Sequence, residues 1–254
     1  MVKGVHKERG VHMTQATRRD RAATDRDIRR QARALLVTDG PAAVTLRAIA
    51  RELGITAPAL YRYYSSREDL IEHLRADVCA DLAAELGTDL VEVDEADHLG
   101  QVLAICRGFR RWALAHPQEF GLVFASPSST GAHCPVGTGD NPQDSFGRIF
   151  LTVAGRVLAN GLPVTVPDDT VPDVLVTDLT RFRDELLVTI AESGTDLAAD
   201  QLGIGIAHAM LQFWVRLYGQ VALEVFGQFP FPVSDAEPLF ETMLADLVRD
   251  VGLG

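Results

Sequence analysis

Apolar residues recur along the chain at helical spacing, and no stretch alternates in the manner of a strand. Leu46, Ile49, Ala50 and Leu53 stand at i, i+3, i+4 and i+7, one face of a short helix. Thr45 precedes that stripe and can accept an unpaired amide of the first turn. Gly54 follows it where a helix end favours positive φ. Ile55 can fill the space under the turn, Thr56 offers a second cap, and Pro58 falls in a first helical turn where a missing N–H costs little. Leu60 and Tyr64 would face inward from this second helix. Helix, glycine turn and capped second helix spell a helix-turn-helix, whose second helix suits a DNA major groove.

Around this unit the stripes continue. A first helix is predicted over 24–38, with Ile28, Ala32, Leu35 and Leu36 on one face, and Asp39-Gly40-Pro41 ends it. A fourth helix starts near Arg67 and carries Leu70, Leu74, Val78 and Leu82 toward Leu86. Further helices are predicted over 99–116, 118–125, 143–160, 174–192, 201–227 and 235–251, with proline- and glycine-rich loops over 126–142 and 161–172. The helix over 201–227 is apolar nearly all round: Ile206, Met210, Phe213, Leu217 and Val221 make one stripe, and Leu211, Trp214, Val215 and Tyr218 widen it. Such a helix must be covered on more than one side. Residues 1–22 show no stripe and read as a disordered basic arm, with Lys3, Lys7, Arg9, Arg18, Arg19 and Arg21 available to phosphates. The fold class is therefore all-α: a disordered arm over 1–22, a three-helix DNA-binding domain over 23–70, and a larger helical domain over 71–254 for ligand binding and dimerisation.

Thr45, Ile49-Ala50, Leu53-Gly54-Ile55-Thr56, Leu60-Tyr61, Tyr64 and Arg67-Glu68-Asp69-Leu70 together resemble the DNA-binding domain of the tetracycline-repressor (TetR) family. The match spans about 50 residues at many fixed offsets. Farther on, Trp214, Tyr218 and Gly219 resemble the Trp–His–Gly signature of one C-terminal class in that family, with tyrosine in the histidine position. The resemblance implies that Thr56, Ala57, Pro58, Ala59, Tyr61 and Tyr63 belong to the recognition helix, and that Thr45 and Arg67 lie against phosphates. It also implies that the last two helices dimerise and that the middle helices surround a ligand.

Charge distribution agrees with a DNA reader. The chain carries a formal charge of −11, yet residues 1–75 hold 15 Lys/Arg against 9 Asp/Glu, and the rest hold 9 against 26. The first stretch attracts phosphate and the second repels it, which limits non-specific coating of DNA. Arg47 stands where a guanidinium can reach a base edge. Ala57 and Ala59 offer only apolar contact with thymine methyls, so specificity would lean on Arg47, Tyr63 and DNA shape. The same alanines motivate an alternative: a small-molecule-binding dimer with weak or lost operator specificity.

Phe109, Trp112, His116, Phe120, Phe124, Phe146 and Phe150 concentrate rings in the central helices and nominate a pocket for an apolar or aromatic effector. Each also suits an ordinary core. Phe213, Trp214, Leu217 and Val221, with Phe240, Met243, Leu244 and Leu247, nominate a four-helix interface with a second copy. No G-x-S-x-G, P-loop or H-E-x-x-H motif is present, so no enzyme is expected. His133-Cys134 is a lone soft pair, Cys79, Cys106 and Cys134 share no metal spacing, and no cofactor or metal is expected. There is no apolar run long enough to span a bilayer and no secretory h-region, so the expected setting is the cytoplasm. The expected function is a homodimeric repressor released from a pseudo-palindromic double-stranded operator by a small effector.

Overall fold

A computed structural model describes residues 6–125, 145–160, 166–192 and 194–253, and these form helices and turns with no strand among them. The chain divides into two compact units, Met1–Arg75 and Ala76–Gly254.

The first unit contains α1 (His6–Asp39), α2 (Leu46–Glu52), α3 (Ala57–Leu60) and the start of α4 (Arg67–Val91). Ile28, Ala32 and Leu36 of α1 are fully buried, as are Ile49, Leu60, Leu70 and Leu74, so the predicted stripes do form its core. The α1 backbone is helical from His6, whereas the sequence predicted an arm over 1–22 and a helix from 24. Apolar periodicity locates helices that pack, but backbone bonding can propagate beyond the packed face through proline-free sequence rich in Arg.

The second unit holds the rest of α4, then α5 (His98–Ala115), α6 (Pro117–Phe120), α7 (Ser145–Ala159), α8 (Val176–Glu192), α9 (Ile204–Val225) and α10 (Glu237–Asp250). Asp97 caps α5 by accepting the Gly100 amide at 2.8 Å. After α6 the backbone widens into a π turn over Gly121–Ala125. The main core gathers Val78, Leu82 and Leu86 of α4 with Phe109 and Trp112 of α5, Leu217 and Val221 of α9, and Phe240, Leu244 and Leu247 of α10. A second cluster joins α7, α8 and α9 through Leu151, Leu186, Ile190 and Ala207. Gly155 allows α7 to approach α8 closely: a Cβ there would lie 2.7 Å from a methyl of Ile190.

Ion pairs fix α5 to the last two helices. The Arg110 guanidinium donates to both Glu224 oxygens at 2.8 and 2.6 Å, donates to Glu237, and lies 5.0 Å over the Phe240 ring. Arg107 makes a second bidentate pair, with Glu241, at 2.8 and 2.6 Å. These bonds hold the Arg110 guanidinium well above its ordinary pKa, against the opposing effect of burial. The predicted loop over 126–142 lies outside the described residues, with His133 and Cys134.

Candidate functional site

In the first unit, α2 ends in the geometry its sequence demands. The Thr45 hydroxyl accepts the Ala48 amide at 3.2 Å. At the other end Gly54 takes φ +65°, its amide bonds the Arg51 carbonyl at 3.2 Å, and the Ile55 amide bonds the Ala50 carbonyl at 3.0 Å. That pair is a Schellman closure, and a β-carbon at Gly54 would disfavour it. Thr56 is extended at φ −79°, and its carbonyl accepts Ala59 N–H at 2.9 Å. Its hydroxyl makes no capping bond, so the backbone alone starts α3. The recognition segment is one α turn followed by tight bonds from Arg62 to Ala59 and from Tyr63 to Leu60.

Tyr64 anchors this segment. Its ring is buried edge-on to His73 at 5.3 Å, and its hydroxyl donates to Asp25 at 2.6 Å. Asp25 also pairs with Arg29 at 3.3 Å. With Leu60 and Tyr64 inward, Pro58, Tyr61 and Arg62 are exposed, and Ala57, Ala59 and Tyr63 are half-buried. Arg47 is exposed on α2. Neither Arg47, Tyr61 nor the Arg62 side chain has a hydrogen-bond or ion-pair partner among the described residues. Tyr63 lies under the Arg21 guanidinium at 5.6 Å, and Arg21 also donates to the Arg62 carbonyl at 3.3 Å.

Arg67, expected against phosphate, has partners within its own unit. Its Nε donates to the Val44 carbonyl and its Nη2 to the Pro41 carbonyl, each at 2.7 Å. The guanidinium thus ties the loop between α1 and α2 to the start of α4. Sequence reasoning passed over Arg62 and Asp25, and read Arg21 only as one charge of a basic arm. Arg62 sits in the turn after α3, and only the inward placing of Leu60 and Tyr64 makes its exposure legible.

The start of α4 is capped from both sides: Ser66 Oγ accepts the Asp69 amide at 3.1 Å, and the Asp69 carboxylate accepts the Ser65 amide and hydroxyl at 2.8 and 2.9 Å. The Ser65 amide, above all, lowers the Asp69 pKa.

In the second unit, most of the ring residues predicted to wall a pocket pack on one another instead. Phe109 meets Phe120, Phe124, Phe150 and Trp214 at centroid distances of 5.5 to 6.2 Å. Phe109 and Phe120 are wholly enclosed, and Trp112 nearly so. His116 ends α5, stacked on Trp112 at 5.3 Å with its Nδ1 3.0 Å from the Trp112 carbonyl. The side chain of Phe146 lies outside those described. Tyr218 donates from its hydroxyl to the Phe124 carbonyl, in the π turn, at 3.0 Å. Tyrosine in the histidine position is therefore the polar link from α9 to that turn.

A cavity of about 160 Å³ opens beside this cluster, and of the predicted residues whose side chains are described it takes only Phe150. Its walls come from α5 (Val102, Ile105, Cys106), α7 (Phe150 to Leu158), α8 (Phe182, Leu186), α9 (Ile206 to Trp214), and Val251 and Leu253. Small residues of two helices, Ala154 of α7 and Ala209 of α9, are among those that border the void.

The residues predicted for a dimer interface also need correction. Leu217, Val221, Phe240 and Leu244 are fully buried within the single chain and Leu247 nearly so, leaving no surface to offer a second copy. Phe213, Trp214 and Met243 are half-buried. The exposed apolar side of α9 is instead Leu211, Val215, Leu223 and, just past its end, Phe226, with open space over Gly219. Among the described residues no His, Cys, Asp and Glu cluster suited to a metal occurs, Cys79 and Cys106 are buried free thiols, and no helix is long and apolar enough to cross a membrane.

A Schellman-closed helix, a tight turn and a short second helix with unpaired basic and aromatic residues define a helix-turn-helix DNA-binding regulator. Residues 28–74 match the family described as bacterial regulatory proteins, tetR family, and residues 102–247 match the tetracyclin repressor-like C-terminal domain. The chain belongs to the TetR family of transcriptional regulators. It is similar to the HTH-type transcriptional regulators Mb1846 of Mycobacterium bovis and Rv1816 of Mycobacterium tuberculosis, each 30% identical over 195 residues, covering 76% of this chain and 77% of the relative. Its fold resembles the crystal structure of a regulatory protein, SCO4313, with a TM-score of 0.61 and 27% identity over 91% of this chain and 98% of that one.

Proposed function

We propose that this regulator acts in the cytoplasm as a homodimeric repressor, released from a pseudo-palindromic operator by a small apolar effector. The observation that carries the operator reading is that Arg47, Tyr61 and Arg62 are exposed and unpaired around a buried Leu60–Tyr64 anchor. A bidentate Arg47–guanine pair supplies base discrimination of about 1–3 kcal/mol. Tyr61, Pro58 and the half-buried Ala57, Ala59 and Tyr63 supply apolar and shape contacts, while Thr45 and Thr56 border the phosphates. Arg67 acts by positioning this surface. Two copies would read half-sites one helical turn apart.

Dimerisation rests on the exposed stripe from Leu211 to Phe226, which is long for a solvated helix face. Effector binding rests on the cavity between α5, α7, α8 and α9. An effector that prefers one arrangement of the dimer lowers operator affinity by population shift.

A second reading, a ligand-binding dimer without operator specificity, is favoured by Ala57 and Ala59, which bring no polar group to the recognition segment. Selection of bound fragments from genomic DNA, followed by competition against random duplex, decides between them. One enriched pseudo-palindrome that resists random competitor supports the repressor. Equal competition by random DNA supports the second reading.

A further inference from the structure

The cavity walls carry more chemical information than its position. The described side chains that line it are apolar, apart from the thiol of Cys106 and the indole N–H of Trp214. Burial pushes the Cys106 thiol far above its ordinary pKa, so it stays neutral. Hydroxyls on the surrounding helices turn back onto their own backbones: Thr152 donates to the Arg148 carbonyl at 2.8 Å and Thr189 to the Glu185 carbonyl at 3.1 Å. The Tyr218 hydroxyl is spent on Phe124. Near the end of α10, Arg216 pairs with Asp250, the residue before the lining Val251, so that cation is already neutralised.

The walls are also polarizable. Four rings (Phe150, Phe182, Phe213 and Trp214) share the lining with the Met210 thioether and the Cys106 sulfur. Sulfur and aromatic groups favour ring partners. A void of about 160 Å³ matches dry engineered cavities of about 150 Å³ that accept benzene or xenon.

We infer that this cavity selects a small neutral ring, an aromatic or halogenated hydrocarbon without a hydrogen-bonding group, from the juxtaposition of soft apolar walls with the absence of any charge, hydroxyl or carboxamide among the described lining side chains. The inference rests on the effector reading above and narrows it. The proton of a hydroxyl carried into the cavity meets no oxygen or nitrogen acceptor among the described lining side chains, which lowers affinity by about tenfold or more. A carboxylate is excluded altogether, because no cation faces it.

The test is calorimetric titration of the full-length protein with toluene, phenol, benzoate and decanoate, with operator affinity measured in the same samples. Toluene is expected to bind once per chain, phenol at least about tenfold more weakly, and benzoate and decanoate without measurable heat. Ala154→Leu and, separately, Ala209→Leu fill the void from α7 and from α9, and each is expected to abolish toluene binding while the thermal midpoint holds or rises. Using two fills guards against one variant failing to fold. The inference is overturned if toluene does not bind, if it still binds both filled variants, or if phenol, benzoate or decanoate binds as tightly. Toluene that binds without loosening the operator leaves the ligand class standing and removes the effector reading. A charged ligand that binds and releases the operator does the reverse.

Discussion

Replacing Arg67 separates two roles that one guanidinium can play. Its two bonds at 2.7 Å, to the Val44 and Pro41 carbonyls, are both charge-assisted. The Val44 bond is partly buried and contributes about 1.5 kcal/mol, and the exposed Pro41 bond about a third of that. Arg67→Ala should therefore cost about 2 kcal/mol of local stability, or about 30-fold in opening of the α1–α2 connection. Hydrogen exchange at the Ala43 and Ala48 amides reads that opening directly, since both bond within this connection and the α2 cap. Arg67→Lys is the discriminating variant. An ammonium keeps the charge for a phosphate but cannot span two carbonyls in the guanidinium's fixed fork. Both variants should exchange faster, and both should weaken operator binding with an unchanged salt slope. The tie is refuted if Arg67→Lys exchanges like the parent while Arg67→Ala lowers the salt slope by about one, the signature of a lost phosphate contact.

The other expectations concern single interactions. Tyr64→Phe removes the 2.6 Å bond to Asp25 and should cost about 1.5–2 kcal/mol in urea unfolding; an unchanged midpoint would show that the hydroxyl is dispensable. Arg47→Ala and Tyr61→Ala should each weaken selected-operator binding by about 5-fold or more without moving the thermal midpoint, and equal loss on random DNA would assign them to phosphates instead. Val215→Asp places a carboxylate in the exposed α9 stripe and should yield monomers by sedimentation equilibrium, whereas a persisting dimer moves the interface elsewhere. Asp69, held below its ordinary pKa of 3.8 chiefly by the Ser65 amide, contributes stability above that value and loses it as pH falls through its folded-state pKa. The destabilisation caused by Asp69→Ala should therefore be present at neutral pH and fade below about pH 4, a trend that a pH series of thermal midpoints checks.

Local chemistry was readable wherever one residue type answers one backbone need. Thr45, Gly54 and Pro58 announced the helix-turn-helix, and Gly54 does stand at positive φ. The buried members of each stripe were legible for the same reason, from Ile28 to Leu247. Three things were not. A hydroxyl able to cap does not reveal whether it will, and Thr56 leaves the task to its backbone. A cavity is a property of what side chains fail to fill, so a census of large rings located the aromatic cluster rather than the void next to it. Arg67 was read by position in a motif, and its real partners are carbonyls 23 and 26 residues earlier.

The α9 helix brings these limits together. It is apolar nearly all round, so its sequence demands two coverings without saying which face takes which. Once Leu217 and Val221 are committed to the core with Phe240 and Leu244, the 100° step of the helix decides the rest. Positions 211, 215 and 219, then 222 and 226, fall on another side, and there the side chains are exposed or half-buried and Gly219 is open. Earlier on the same stripe as Leu217, Met210 and Phe213 line the cavity with the neighbouring Trp214, and Leu211 belongs both to its wall and to the exposed stripe. One helix thus supplies core, cavity wall and unpartnered surface within four turns. In the dimer proposed above, a ligand that fills the void would press on Leu211, a residue that a second copy would also cover. Occupancy and dimer geometry would then be coupled through Leu211, and reciprocity would require dimer contacts there to alter ligand affinity by the same factor that the ligand alters them.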